Sequence, residues 1–163
     1  MRPIPLLTFL ISVIGLSCSQ SSTSGPTTPS PTASIVVRAP ASLPARLCQR
    51  CVGHPGELEA AADLVVEETA GVGGQVTGVG VLFSNASVTI EGPGVFDSFV
   101  LGNFGVTSLR VPARGSLTMR QIGVHFAGSL ADQLPATLRF TVHFLDDNGH
   151  TLSSDVAIQI TPP

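Results

Sequence analysis

The feature that most limits the fold of this chain is an alternation of apolar and polar side chains in its last third. Apolar residues occupy nearly every second position of residues 138–144 and again of residues 152–160. Because successive side chains of a strand point to opposite faces of a sheet, this period indicates two strands that each bury one face. The turn-forming run Asp146-Asp147-Asn148-Gly149 lies between them, so the sequence predicts a β-hairpin.

The two faces of this hairpin also predict its register. A two-residue turn at Asn148 and Gly149 would mix buried and exposed positions. A three-residue loop over 147–149 instead pairs Asp146 with His150 and keeps the apolar faces together. The other pairs that this register predicts are Phe144 with Leu152, Val142 with Ser154, Phe140 with Val156 and Leu138 with Ile158. The loop places Gly149 at the left-handed position of a bulge, where glycine is the least strained residue.

Further strands are predicted where short apolar-rich segments lie between clusters of Gly, Pro, Asn or Ser. These segments are residues 35–38, 58–68, 75–83, 86–91, 95–101, 106–111 and 116–126. In segment 58–68 the apolar residues occupy every second position, so it is predicted as a strand, although the Glu and Ala residues at its start would also suit a helix. In segment 116–126 the apolar positions change from odd to even numbers, which predicts a β-bulge near Arg120 and Gln121.

Short strands with regularly spaced turn signals are typical of an antiparallel sandwich. Residues 35–163 are therefore predicted to form one all-β, antiparallel β-sandwich domain, which is similar in its overall pattern to immunoglobulin-like and fibronectin-like domains. Within it, Glu67-Glu68-Thr69-Ala70-Gly71-Val72-Gly73-Gly74 resembles a strand-and-turn segment of bacterial immunoglobulin-like and fibronectin-like domains. The chain has no Trp and no widely spaced cysteine pair, so it lacks the antibody-type signature. A small barrel or a jelly roll is an alternative architecture.

The N-terminus has the composition of an export signal. Arg2 precedes an apolar run over 4–16, which is shorter than the roughly 20 residues that span a bilayer. The run ends in Ile14-Gly15-Leu16-Ser17-Cys18, which resembles the lipobox of bacterial lipoproteins. The resemblance implies cleavage before Cys18, acylation of that cysteine with palmitate and other acyl chains, and anchoring to a membrane of the cell envelope. In that family Ser19, in place of Asp, implies the outer membrane.

A tract rich in Ser, Thr and Pro lies between this signal and the predicted domain. Residues 19–34 contain no large apolar side chain, so we expect no residue of the tract to be buried. The sequence therefore predicts a signal peptide over 1–17, an acylated Cys18 with a disordered linker over 18–34, and the β-sandwich over 35–163.

Cys48-Gln49-Arg50-Cys51 is the most specific motif of the predicted domain. Cysteines at this spacing lie within disulfide distance at a turn, and an oxidising envelope compartment favours the bond, so the pair is predicted to form a disulfide. An alternative is a copper or zinc site that uses Cys48, Cys51 and His54. A thioredoxin-like redox role has less support, because the chain has no βαβ unit around the motif.

The remaining histidines are not expected to join these donors. The predicted register turns His143 outward and places His150 beside Asp146. The position of His125 between two apolar residues directs it outward as well. The acidic turn 146–148 offers oxygen ligands for calcium, but turn geometry alone explains such a run. We therefore predict no resident metal or other cofactor.

Composition and motifs give no support for an enzyme or a nucleic-acid-binding protein. The chain has no Lys, its Arg residues are scattered and its formal net charge is −3 at pH 7, so no basic surface is expected. Gly-x-Ser-x-Gly and His-Glu-x-x-His motifs are absent. The predicted function is a non-catalytic binding or structural module, lipid-anchored at the bacterial envelope, with another envelope protein as its partner. The alternative is a periplasmic metal-binding or redox accessory protein that uses Cys48, Cys51 and His54.

Overall fold

The structure, a computed structural model, describes residues 29–49, 51 and 56–163 of the chain. These residues form ten strands, one α-helix and one 3-10 helix. The strands are β1 Ile35–Arg38, β2 Ser42–Pro44, β3 Arg46–Leu47, β4 Glu57–Glu68, β5 Gly74–Ser84, β6 Thr89–Phe96, β7 Arg110–Val111, β8 Ser116–Ala127, β9 Ala136–Asp146 and β10 Thr151–Thr161. Helix α1 covers Ser98–Asn103, and the 3-10 helix covers Gly128–Gln133. Within the described ranges, no helix is long and apolar enough to cross a membrane.

The strands form two sheets that pack face to face. In the first sheet β4 lies at the centre, with β8 along one edge and with β1 and β3 along the other. The second sheet has the order β2, β10, β9, β5, β6, and the short β7 also pairs with β5. Each described pairing is antiparallel except that of β2 with β10, which is parallel.

This strand order is that of an immunoglobulin-like sandwich. An immunoglobulin-like domain has its first, second and fifth strands in one sheet, and β1, β4 and β8 match these in order and pairing. Its third, sixth and seventh strands lie in the other sheet, and they are matched by β5, β9 and β10. Some immunoglobulin-like domains have a long strand, the fourth of their first sheet, in this part of the chain. Here the segment between β6 and β8 contains α1 instead. The predicted fold class, an all-β antiparallel sandwich, is therefore confirmed, and the alternatives of a small barrel and a jelly roll are wrong.

The hydrophobic core lies between the sheets and is built from alternate residues of the long strands. In β4 the even-numbered residues are buried, and the same is true in β9. Phe83 of β5 packs edge-to-face on Phe126 of β8, with ring centroids 5.1 Å apart, and so joins the two sheets. Burial of each large apolar side chain contributes about 1.5–3 kcal/mol to the free energy of unfolding. The alternation of apolar and polar residues is therefore the main stabilising feature of the fold. The prediction of a strand over 58–68, against a helix, is confirmed.

The predicted register of the β9–β10 hairpin is also confirmed. Phe144 pairs with Leu152, and the other predicted pairs follow in the same register. The Gly149 N–H donates to the Asp146 carbonyl at 3.0 Å, and Gly149 has a φ of 87°. The predicted bulge in β8 is present as well, because the register between β4 and β8 shifts at this point and Gln121 has a φ of 53°.

Three predicted strand segments differ from the structure. The sequence predicts separate strands over 86–91 and 95–101, but one strand, β6, joins the end of the first segment to the start of the second, and α1 follows it. The Asn85 side chain accepts two backbone N–H groups and forms a turn before β6, and the Asp97 side chain caps the N-terminus of α1. Within 106–111 only β7 is a strand. Local side-chain hydrogen bonds thus outweigh strand propensity at both ends of β6.

We expect Gly149→Ala to lower the free energy of unfolding by about 1 kcal/mol. The added methyl group meets no atom within 4 Å, so the cost comes from the φ of 87° and not from a clash. Urea unfolding followed by circular dichroism measures the change. Gly102→Ala in α1 is the control, because its methyl group also meets no atom within 4 Å and its φ is not positive. An equal loss of stability in both variants would contradict the conformational explanation.

Candidate functional site

The side chains of interest lie at opposite ends of the sandwich. One end, called here the N-terminal end, holds residues 31–34, the turn after β4, the turn before β8 and the β9–β10 hairpin. The other, called the cysteine end, holds the loop after β3, the first residues of β4 and the last residues of β8. Strand β4 runs from one end to the other over 12 residues, a length of about 36 Å.

Residues 31–34, the last part of the predicted linker, lie against the N-terminal end. The Asn148 side-chain amide donates to the Pro31 carbonyl at 2.6 Å, and the Ser34 carbonyl accepts a backbone N–H from the turn after β4 at 2.9 Å. Ala33 is only 5% exposed and belongs to the core. The expectation that no residue of the tract is buried is therefore wrong for Ala33. Its methyl group packs into the end of the core, although the tract has no large apolar side chain.

Glu68 is a buried carboxylate that joins three segments at this end. Its side chain is at the end of β4 and the residue is 2% exposed. It accepts hydrogen bonds of 2.8–3.2 Å from the backbone N–H groups of Ser34, Ala70, Gly71 and Arg114. Burial by itself raises the pKa of the Glu68 carboxyl, but the hydrogen bonds together outweigh burial and lower the pKa from 4.5 to about 2.

Asp146 plays the same part in the β9–β10 hairpin. It is 3% exposed, and it accepts hydrogen bonds from the backbone N–H groups of Ala33 at 3.1 Å, Asn148 at 2.9 Å and His150 at 2.8 Å. The Nδ1 atom of His150 lies 3.0 Å from the carboxylate. Burial raises the pKa of the Asp146 carboxyl, but the backbone and His150 hydrogen bonds outweigh it and lower the pKa from 3.8 to about 2.

The polar side chains of the acidic turn 146–148 all have hydrogen-bond or ion-pair partners within the protein. Asp146 binds the N–H groups just described, and Asp147 forms a two-pronged ion pair with Arg110, with N–O distances of 2.5 and 2.6 Å. The Asn148 amide is used on Pro31. Turn geometry and these partners account for the run of polar residues, so it gives no support for a calcium site.

At the cysteine end, Cys48 and Cys51 are joined by a disulfide bond, as the sequence predicts. Their Sγ atoms are 2.06 Å apart and their Cα atoms 5.5 Å apart. The Cys48 N–H donates to the Glu57 carbonyl at 2.9 Å, so the cysteine loop begins where the pairing of β3 with β4 ends. His54, the predicted alternative metal ligand, and Cys18, the predicted acylation site, lie outside the described residues.

The structure brings His125 to the disulfide. A ring nitrogen of His125 and the Sγ atoms of Cys48 and Cys51 all lie within 4.8 Å of one another. His125 is on β8 opposite Glu59 of β4, and β4 separates β8 from β3. The prediction that His125 faces outward is confirmed, but the expectation that it stays apart from the cysteines is wrong. Sequence reasoning missed this proximity because it depends on the pairing of β3 and β4 with β8, which is distant from them along the chain.

The other two described histidines lie where the sequence predicts. His143 is exposed on β9, and His150 is on the Phe144 face beside Asp146. Neither belongs to the group of donor atoms around the disulfide, so His125 is the histidine of the described part of the chain that could act together with the cysteines.

A shallow groove of about 190 Å³ adjoins His125 on the outer face of the first sheet. Residues of β4 and β8 form its floor, and Asn103 and Phe104, at the C-terminal end of α1, form one wall. Gly123 lets β8 approach β4 closely below the groove, because a Cβ atom there would lie 2.2 Å from the Ala60 carbonyl oxygen. The groove gives solvent a direct path to the imidazole ring of His125.

Comparisons with known proteins found little similarity. No family model and no curated protein matches the chain. Among solved structures, murine CRIg aligns with 16% sequence identity over 80% of this chain and 98% of that chain, with a TM-score of 0.40. An alignment at this level identifies neither a family nor a function, so the fold assignment is based on the strand order and pairing described above.

We expect the stability of the domain to depend on pH through Glu68 and Asp146. Their pKa values are about 2 in the folded state, against ordinary values of 4.5 and 3.8. Because the folded values are lowered, the two carboxylates stabilise the fold fully above about pH 4.5, and this stabilisation is lost as the pH falls toward about 2. Urea unfolding between pH 7 and pH 2 measures the dependence.

The double variant Glu68→Gln with Asp146→Asn should be less stable at neutral pH and should have a flatter pH profile. Glu91→Gln removes an exposed carboxylate instead and is the control that should keep the original profile. A double variant that keeps the full acid dependence would show that other groups cause it.

Proposed function

We propose that this chain is a lipoprotein of the bacterial cell envelope, anchored through an acylated Cys18, whose β-sandwich serves as a non-catalytic binding or structural module. The lipobox-like run that ends at Cys18, and the apolar run before it, support the anchor. Ser19 supports the outer membrane as its location. Another protein of the envelope is the class of partner that suits such a module.

The structural observation that supports an orientation for the proposed module is the fixed attachment of residues 31–34 to one end of the sandwich. Their backbone N–H groups bind Asp146 and Glu68, so the chain that precedes them joins the domain at its N-terminal end. A lipid anchor at Cys18 would hold this end toward the membrane. The cysteine end, about 36 Å away along β4, would then face away from the membrane and be the part presented to a partner.

The tract 18–30 sets how far the domain stands from the membrane. Its composition predicts a flexible coil with a reach of roughly 20 Å. This reach keeps the domain clear of the lipid headgroups. The cysteine end is farther from the membrane by the length of the sandwich, so it stays accessible. Several acyl chains on one cysteine give the stable anchoring that a single chain does not.

A non-catalytic role is supported by the buried charged side chains of the described residues, which are Glu68 and Asp146. A general acid or base works best when its pKa is near the operating pH. Both carboxyls have pKa values of about 2, so they stay ionised and are poor proton donors at neutral pH. Each is also occupied by the backbone N–H groups of the turns that it joins.

We expect the mature protein to begin with acylated Cys18. Mass spectrometry of the N-terminal peptide from the membrane fraction tests this, together with incorporation of a labelled fatty acid. Cys18→Ser should lose the label. The double variant Cys48→Ser with Cys51→Ser is the matched control, because it removes the other cysteines of the chain and should keep the label. An intact Met1 or an unmodified Cys18 in the native protein would overturn the anchor.

We also expect the anchored domain to point its cysteine end away from the bilayer. Ala113→Cys lies in the turn before β8 and Ala86→Cys in the loop before β6, and both positions are exposed. Each variant is labelled with a fluorophore and placed in vesicles that contain nitroxide-bearing lipid. Quenching should be stronger at position 113, which is at the N-terminal end. Equal quenching would contradict the orientation without affecting the test of acylation.

A further inference from the structure

We propose that reduction of the Cys48–Cys51 disulfide opens a binding site for a thiophilic cation, Cu(I) or Zn(II), in which His125 is the third ligand. The site is at the cysteine end and requires nothing from the lipid anchor, so it is independent of the function proposed above. It differs from the site that the sequence suggests, because the histidine comes from a distant strand.

The spacing of the donor atoms is the first observation behind this site. Ligands bound to one ion at about 2.0–2.3 Å lie roughly 3.5–4 Å from one another. The Sγ atoms and the His125 nitrogen already lie within 4.8 Å of one another. The Cα atoms of the two cysteines are 5.5 Å apart, so rotation of the reduced side chains can separate the sulfurs to the required distance without moving the backbone.

The position of His125 is fixed by the fold, which favours binding. Val124 and Phe126 on either side are buried in the core and pair with β4. The backbone of His125 therefore cannot move far, while its ring is exposed and lines the groove on the outer face of the first sheet. Binding therefore requires no rearrangement of the His125 backbone, and the exposed ring leaves a path for the ion.

The chemistry makes the site dependent on redox state. A dithiol reductant supplies two electrons and two protons: the S–S bond breaks, Cys48 and Cys51 become thiols, and the reductant closes its own disulfide. The ion then displaces one proton from each thiol, both protons pass to water, and the ion takes the free lone pair of neutral His125. The disulfide form has no thiolate to offer, so oxidation closes the site.

The donor set selects the class of ion. Two thiolates and one imidazole are soft or borderline ligands, which Cu(I) and Zn(II) accept and which calcium and magnesium do not. Three donors complete a trigonal Cu(I) site. Zn(II) would take a water molecule as its fourth ligand.

Metal titration of the full-length chain tests the proposal. Cys18→Ser is used as the background so that only the Cys48–Cys51 pair supplies thiols, and failure of the lipid anchor cannot affect the result. The protein is reduced with dithiothreitol, freed of reductant without oxygen, and titrated with Zn(II) or Cu(I) against a chromogenic chelator. The reduced protein should bind one equivalent of ion, and the disulfide form should bind none.

Single variants then assign the histidine. His125→Ala should weaken binding by at least about tenfold, a loss that even outer groups of metal sites can cause. His143→Ala removes an exposed histidine of the other sheet and should leave the affinity unchanged. Circular dichroism checks that each variant is folded. If His125→Ala is not folded, His125→Asn is used in its place.

Three results would overturn the proposal. The first is equal binding by the reduced and disulfide forms, and the second is no binding by the reduced form. The third is an unchanged affinity in both His125 variants, in particular if His54→Ala weakens binding instead. A preference for Cu(I) over Zn(II), or the reverse, identifies which ion of the class the site selects.

Discussion

Two buried carboxylates hold one end of the sandwich together, because they accept backbone N–H groups from the entering chain and from the turns that lie beyond the paired strands. Glu68 binds residue 34, the turn after β4 and the turn before β8, while Asp146 binds residue 33 and its own hairpin. An ionised carboxylate can be buried when several donors replace its water, and hydrogen bonds to a charged group are stronger than neutral ones. These contacts fix where the chain enters the sandwich, and the proposed orientation at a membrane follows from that point of entry.

The hairpin of β9 and β10 could be predicted from the sequence because its determinants are local. Alternation defines the buried face, and the turn residues leave one loop length that keeps both apolar faces together. The same alternation also carried the signal for the buried carboxylates. Glu68 and Asp146 continue the even-numbered buried positions of β4 and β9, so their position predicts that they face inward even though their chemistry argues for the surface.

Two features could not be predicted from local pattern. Segment 95–101 has the apolar content of a strand, yet Asp97 caps a helix there, so one side-chain hydrogen bond decides the secondary structure. The meeting of His125 with Cys48 and Cys51 requires β3, β4 and β8 to lie side by side, and β3 is only two residues long. Strands of that length are set by tertiary packing, which propensity does not report.

The bulge in β8 affects how neighbouring copies of the protein can meet. In the described part of the chain β8 pairs only with β4, so its other edge carries unpaired backbone groups of the kind that can recruit a strand from a second molecule. At the bulge the Gln121 N–H donates to the Asp63 side chain at 2.9 Å, and the extra residue increases the local twist. The edge is thereby divided into two short stretches, which disfavours continuous pairing with a strand of a second molecule.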